Sequence, residues 1–152
     1  MVATTSERRL RRARARRWGS FPTTADVGIW ATGPTNDALF EALGLGLFAL
    51  MTDLGRVRPR IERAVSASAS DPPSLVVAYL SELILLQQTE GFLARGIRAH
   101  LVGDPPTAIV ASVTGEPFDA ARHPARKEVK AVTLHGLTVD LARGRARVIV
   151  DI

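Results

Sequence analysis

The chain has 152 residues and a formal net charge of +5, which suits one domain that buries roughly two thirds of the surface exposed by its unfolded form. It contains no cysteine, which excludes zinc–thiolate sites, iron–sulfur clusters and cysteine nucleophiles and points to a reducing, cytoplasmic compartment. The longest apolar run, residues 42–51, falls short of the roughly 20 residues of a membrane span. No apolar segment follows the basic N-terminus as in a secretion signal, so no membrane association is expected.

The charge is unevenly placed. Arg8, Arg9, Arg11, Arg12, Arg14, Arg16 and Arg17 against Glu7 give residues 1–20 a charge of +6, which leaves −1 for the rest. Such a block cannot bury enough apolar surface to offset its ordering, so residues 1–18 are expected to form a disordered or conditionally helical arm, with residues 19–152 as a single domain. The arm suits phosphate neutralisation on RNA, or it is simply a solvated tail.

In chain order, residues 27–32 read as a short strand stopped by Gly33-Pro34. Thr35 then caps a helix over residues 36–52, with Asp37 in the first turn where the macrodipole favours an anion. Leu39, Leu43, Leu47 and Leu50 recur at helical spacing beside Phe40, Phe48 and Met51, which predicts a mostly buried helix. Gly44 and Gly46 resemble a fragment of a dinucleotide fingerprint, but the third glycine is absent and no strand leads into them, so close packing is the expected role.

Residues 57–69 change period, with Val57, Ile61, Val65, Ala67 and Ala69 on one face and Arg58, Arg60, Glu62, Ser66 and Ser68 on the other. That alternation predicts a half-buried strand. Asp71 caps a second helix through Pro72-Pro73, its stripe formed by Leu75, Tyr79, Leu83 and Leu86 and its end near Gly91. Tyr79 on such a stripe is expected in the core.

After Gly91, residues 92–102 and 107–114 read as a hairpin, residues 115–127 as a polar loop, and residues 129–141 and 145–151 as a second hairpin around Arg143-Gly144. The order β-α-β-α-β-β-β-β predicts an α+β fold, a mainly antiparallel sheet of about six strands with two long helices packed on it. No internal sequence repeat is evident.

The chemistry rests on carboxylates. Asp26 stands directly before the first strand, and the chain ends Val148-Ile149-Val150-Asp151-Ile152, so a side-chain carboxylate and the α-carboxylate lie within a few residues. If the last strand pairs antiparallel beside the first, Asp26 and Asp151 meet at one rim. Like charges that close require a cation. A hard ion held by oxygen ligands is one solution, and ion pairs with Arg122, Arg126 or Lys130 are the other.

Several stretches together carry a resemblance: Thr23-Thr24-Ala25-Asp26-Val27-Gly28-Ile29, Leu39-Phe40-Glu41, Leu80-Ser81-Glu82-Leu83, Gly115-Glu116-Pro117-Phe118-Asp119 with Arg122-His123, Val129-Lys130-Ala131-Val132-Thr133 with His135, and the terminal Val148–Ile152. In this order and spacing the chain resembles the archease family from about Phe21 to the C-terminus. The resemblance implies an accessory protein with no catalytic residues of its own. Archeases activate the RtcB-type RNA ligase, which joins 2′,3′-cyclic phosphate or 3′-phosphate ends to 5′-hydroxyl ends in tRNA splicing and RNA repair, by promoting its guanylylation with GTP and its repeated turnover.

The resemblance also implies a divalent-metal site (Ca²⁺, Mg²⁺ or Mn²⁺) formed by Asp26, Asp151 and Ile152. Around it, Glu116, Asp119, Arg122, His123 and Lys130 are the expected contacts to the ligase. One departure stands out: the family motif has His-Thr-Ala-Asp, and Thr23 occupies the His position here.

Two other classes are weighed against this reading. A metal-dependent phosphoesterase using the same carboxylates has no support from a His-rich metal motif, P-loop or Ser/His/Asp signature. An RNA-binding module would act through residues 1–18, since eight aromatic residues, most at helix-core positions, leave no stacking face in the domain.

Overall fold

Local capping sets both helices. Thr35 takes an extended backbone and its hydroxyl accepts the Ala38 N–H at 3.1 Å, which starts α1 (Asn36–Met51). The Asp71 carboxylate accepts the Ser74 N–H at 2.8 Å and starts α2 (Pro72–Glu90), with prolines in its first turn. That helix ends on Gly91, which adopts the left-handed φ of 65° that glycine tolerates best and returns its N–H to the Gln87 carbonyl at 2.8 Å.

In the computed structural model, which describes residues 2, 4–6 and 16–152, these helices accompany seven strands. They are β1 (Trp18–Pro22), β2 (Val27–Thr32), β3 (Ile61–Ser68), β4 (Phe92–Val102), β5 (Ala108–Pro117), β6 (Ala131–Asp140) and β7 (Arg145–Asp151). Most of the expected Arg-rich arm, residues 1–18, lies outside the described residues. The first strand opens at Trp18, where that arm was expected to end.

The α+β class and the two helices are as expected, but the single six-stranded sheet is not what forms. The strands make two antiparallel sheets, in the orders β1-β2-β7-β6 and β3-β5-β4. Helix α1 packs on β1 and β2 from one sheet and on β4 from the other, and α2 packs on β6 and on β3. Helices held between two sheets need apolar residues around most of their circumference rather than in one stripe. The buried positions of α1 (Leu39, Phe40, Ala42, Leu43, Leu47, Phe48, Leu50 and Met51) do encircle it.

Close packing accounts for Gly44 and Gly46. A Cβ on Gly44 would lie 2.5 Å from Ile97 Cδ1 and from the Tyr79 hydroxyl, and one on Gly46 would lie 2.8 Å from Ile29 Cγ2. Tyr79 is core, with its ring 5.7 Å from that of Phe40 and its hydroxyl pKa pushed up by burial.

Three boundaries differ from expectation. Strand β1 was not expected, because Gly19 and Pro22 weaken its pattern; pairing with β2 and packing of Trp18 against the core sustain it. Strand β3 begins at Ile61 rather than Val57, since a 3₁₀ turn at Leu54–Arg56 and Pro59 occupy the approach. Strand β5 extends to Pro117, into the expected loop.

Strand β4 is a sheet edge, and α1 covers it. The Glu41 carboxylate accepts the Ala99 N–H and the Asp37 carboxylate accepts the Leu101 N–H, each at 2.9 Å. A helical i, i+4 pair thus meets a strand i, i+2 pair and satisfies donors that an edge otherwise leaves open. Glu41→Ala strands the Ala99 donor and should destabilise the fold by about 1–3 kcal/mol, read as a lower urea midpoint at unchanged m-value. Glu82→Ala, at an exposed position of α2, should stay within about 0.5 kcal/mol.

Candidate functional site

Strands β2 and β7 pair antiparallel in a register that sets Val27 opposite Val150. Asp26 and Asp151 therefore stand one step beyond that pair, at the same rim. The ladder ends at Val27 and Val150, with Asp26 in the bend just before it, so the register brings both aspartates to one rim, the side on which the sequence reading set them, without pairing them directly. On the other side of β7, Ala131 of β6 faces Asp151, and the Lys130 N–H donates to the Asp151 carbonyl at 2.8 Å.

Asp26 does not close its own turn. The Thr23 hydroxyl accepts the Asp26 N–H at 3.0 Å, and the Thr23 N–H donates back to the Asp26 carbonyl at 3.3 Å. The residue that departs from the family motif thus holds the turn, and the Asp26 carboxylate is left over. Among the described residues no hydrogen bond or ion pair reaches the carboxylate of Asp26 or of Asp151. Of the three cations considered as their partners, Arg122 holds Glu116 and Arg126 points at the Ala49 carbonyl, while the Lys130 ammonium is exposed and only its backbone N–H meets Asp151, at the carbonyl.

The side chains of Asp26 and Asp151 and the α-carboxylate of Ile152 offer oxygen donors alone, a set whose chemistry would fit a hard divalent cation and not a soft one. Among the described residues no three His, Asp or Glu side chains converge on a common point, so the two aspartates require the Ile152 α-carboxylate or main-chain carbonyls to complete such a set. Ile152 itself is half-buried against the core, which fixes the end of the chain at the rim.

A groove of about 540 Å³ opens beside Asp26, lined among others by Thr23, Thr24, His135 and Arg147. The Arg147 guanidinium lies 4.3 Å from the centre of the Phe21 ring, a cation–π contact that positions it there. His135, inside the strand expected over residues 129–141, is exposed on this wall. It reaches the groove because β6 loses register with β7 between Thr133 and Thr138, around Gly136 at φ 72°. That glycine inside an alternating segment was the available sequence signal.

Of the residues expected to contact a partner, Glu116 and His123 are instead internal, at 1% and 2% exposure. Arg122 grips Glu116 bidentately at 2.9 and 2.6 Å, and the Arg58 N–H donates to it at 2.7 Å. His123 accepts the Asp119 N–H through Nδ1 at 2.8 Å, so its proton sits on Nε2 and is donated to Glu116 at 3.0 Å. These donors, the Arg122 guanidinium above all, hold the Glu116 carboxyl well below the usual carboxylate range, and Glu116 in turn raises Arg122. Asp119 is also lowered, first by the Ala121 N–H. Asp119 and Lys130 are exposed and Arg122 half-buried, so these three remain available at the surface.

The same order of motifs characterises a known family: residues 18–152 match the Archease protein family (MTH1598/TM1083). The chain belongs to the archease family. A Thermococcus gammatolerans archease is 34% identical over 126 residues, covering 82% of this chain and 89% of the relative. A Pyrococcus furiosus archease is 30% identical over 141 residues, covering 90% and 99%. The solution structure of Methanobacterium thermoautotrophicum protein 1598 superposes with a TM-score of 0.71 at 30% identity, covering 90% of this archease and 99% of that chain. The crystal structure of a Thermotoga maritima archease, described as a possible chaperone, shares the fold with a TM-score of 0.57 at 16% identity, covering 87% and 94%.

An unfolded glutamate binds its proton near pH 4.3, whereas folded Glu116 does so only at lower pH. Between those values the folded state carries fewer protons, so this archease should gain stability as pH rises through the window and lose it as pH falls below about 4.3. Glu116→Gln should flatten that part of a plot of urea midpoint against pH while lowering stability at neutral pH. An unchanged acid slope would remove Glu116 from this role.

Proposed function

We propose that this archease is an accessory protein that promotes the metal- and GTP-dependent guanylylation and repeated turnover of an RtcB-type RNA ligase, in tRNA splicing or RNA repair. The observation that carries the reading is the pair of unneutralised carboxylates, Asp26 and Asp151, which the β2–β7 register sets at an open rim. Family membership supports an accessory rather than a catalytic role.

Asp26, Asp151 and the Ile152 α-carboxylate would hold the divalent cation, which when bound supplies charge neutralisation to a phosphate at the partner's nucleotide site. The chain's own contribution is positional. Thr23 fixes the backbone of Asp26, Lys130 fixes that of Asp151, and the paired strands prevent either from moving apart. Arg147 on the groove wall faces the same opening and suits a phosphate oxygen approaching the rim. Asp119, Arg122 and Lys130 supply surface contacts to the ligase, and the buried Glu116–His123 pair stiffens the loop that carries the first two.

The experiment is multiple-turnover sealing of a 3′-phosphate RNA by the cognate ligase with GTP and Mn²⁺, with and without this protein. The wild type should stimulate product formation by at least about tenfold, equivalent to about 1.4 kcal/mol in barrier, and a folded Asp26→Ala variant should not. Equal stimulation by both proteins would detach the rim from the activity, and none by either would contradict the ligase reading.

A further inference from the structure

A second charged site lies away from the carboxylate rim. The 3₁₀ turn at Leu54–Arg56 and the approach to β3 set Arg56 and Arg58 beside Arg122, around a shallow depression of about 370 Å³ completed by Gly55 and Ala121. No carboxylate lines it.

Arg122 is held from behind by buried Glu116, which fixes one wall. Arg60, 3.7 Å from the same carboxylate, adds charge nearby. The guanidiniums of Arg56 and Arg58 are exposed and have no acceptor among the described residues. Arg122 is paired with Glu116 and with the flanking Asp119, and Asp53 approaches from the 3₁₀ turn through the Gly55 N–H, so the unbalanced positive charge at the depression is that of Arg56 and Arg58, a field that attracts an anion.

The lining decides which anion. Guanidinium forks match phosphate oxygens bidentately. Arginine also anchors protein interfaces, but the lining holds no apolar side chain larger than Ala121 to pack beside it, so a protein contact through Arg122 belongs to the rim of an interface rather than to its centre. A free nucleotide needs an aromatic or carboxylate group for its base or ribose, and the lining residues include neither. We propose that this depression binds the phosphodiester backbone of a nucleic-acid strand, independently of the sequence of its bases and of residues 1–18.

The test uses the full-length protein and a fluorescently labelled oligouridylate, with affinity followed by anisotropy across a salt series. Arg56→Ala/Arg58→Ala leaves the N-terminal arginines in place, so any change reads the depression alone; both side chains are exposed and unbonded, and the fold is checked by thermal melting. Loss of two phosphate contacts should weaken binding at least about fivefold at moderate salt and reduce the slope of log K against log salt by about 1.4, at about 0.7 per phosphate on a single strand. Unchanged affinity and slope in the variant would overturn the proposal. So would failure of the wild type to bind the oligonucleotide, or its displacement by a nucleoside triphosphate at equal phosphate concentration.

Discussion

The antiparallel pairing of β2 with β7 is the constraint on which the site depends. It joins two segments more than a hundred residues apart and sets the start of one strand against the end of the other. Ile29 and Val148, cross-strand partners with no exposed surface, lock that register into the core. A slip by one residue would turn every side chain of a strand to the opposite face. The core therefore holds the register, and the register holds Asp26 beside Asp151. Charge repulsion at the rim is tolerated because apolar burial nearby outweighs it.

The rim is tied to the rest of the molecule through the segment after β5. The Arg126 and Lys127 N–H groups donate to the Met51 and Leu50 carbonyls at 3.0 and 2.9 Å, and the Thr52 hydroxyl donates to the Pro124 carbonyl at 2.9 Å. These bonds satisfy carbonyls that the end of α1 otherwise leaves open, and they bring basic residues to the negative end of its dipole. Glu116, Arg122 and His123 anchor the front of the same segment, and the Lys130–Asp151 bond anchors its end. One continuous chain path thus links the buried glutamate, the arginine-lined depression, the helix terminus and the carboxylate rim.

Much of this was legible where local chemistry is strong. Thr35 and Asp71 announced both helix starts, and Gly91 the end of the second, because capping acts within a few residues. Asp26 and Asp151 were legible as a pair because two isolated acids at opposite strand ends raise a charge question that only an antiparallel pairing answers. The division into two sheets was not visible, since alternation along a strand shows that one face is buried without showing which layer buries it. Strand β1 escaped notice beside the arginines, and it forms only because β2 offers an open edge.

The burial of Glu116 was equally hidden. A carboxylate near the end of a strand reads as surface until Arg122 and His123, six and seven residues onward, fold back over it. His135 shows the converse: it lies within an expected strand, and the break in register around Gly136 turns it to the groove. Both cases depend on loop geometry that no periodicity records.

The account turns on whether the two aspartates form a cation site. The most direct measurement is calorimetric titration of Mn²⁺ and Ca²⁺ into the wild type and into Asp26→Asn and Asp151→Asn, which keep size and hydrogen-bonding capacity while removing charge. The account predicts one ion bound per chain by the wild type and at least about tenfold weaker binding, near 1.4 kcal/mol, in each variant. Equal affinity in all three proteins, or no binding by the wild type, would contradict it.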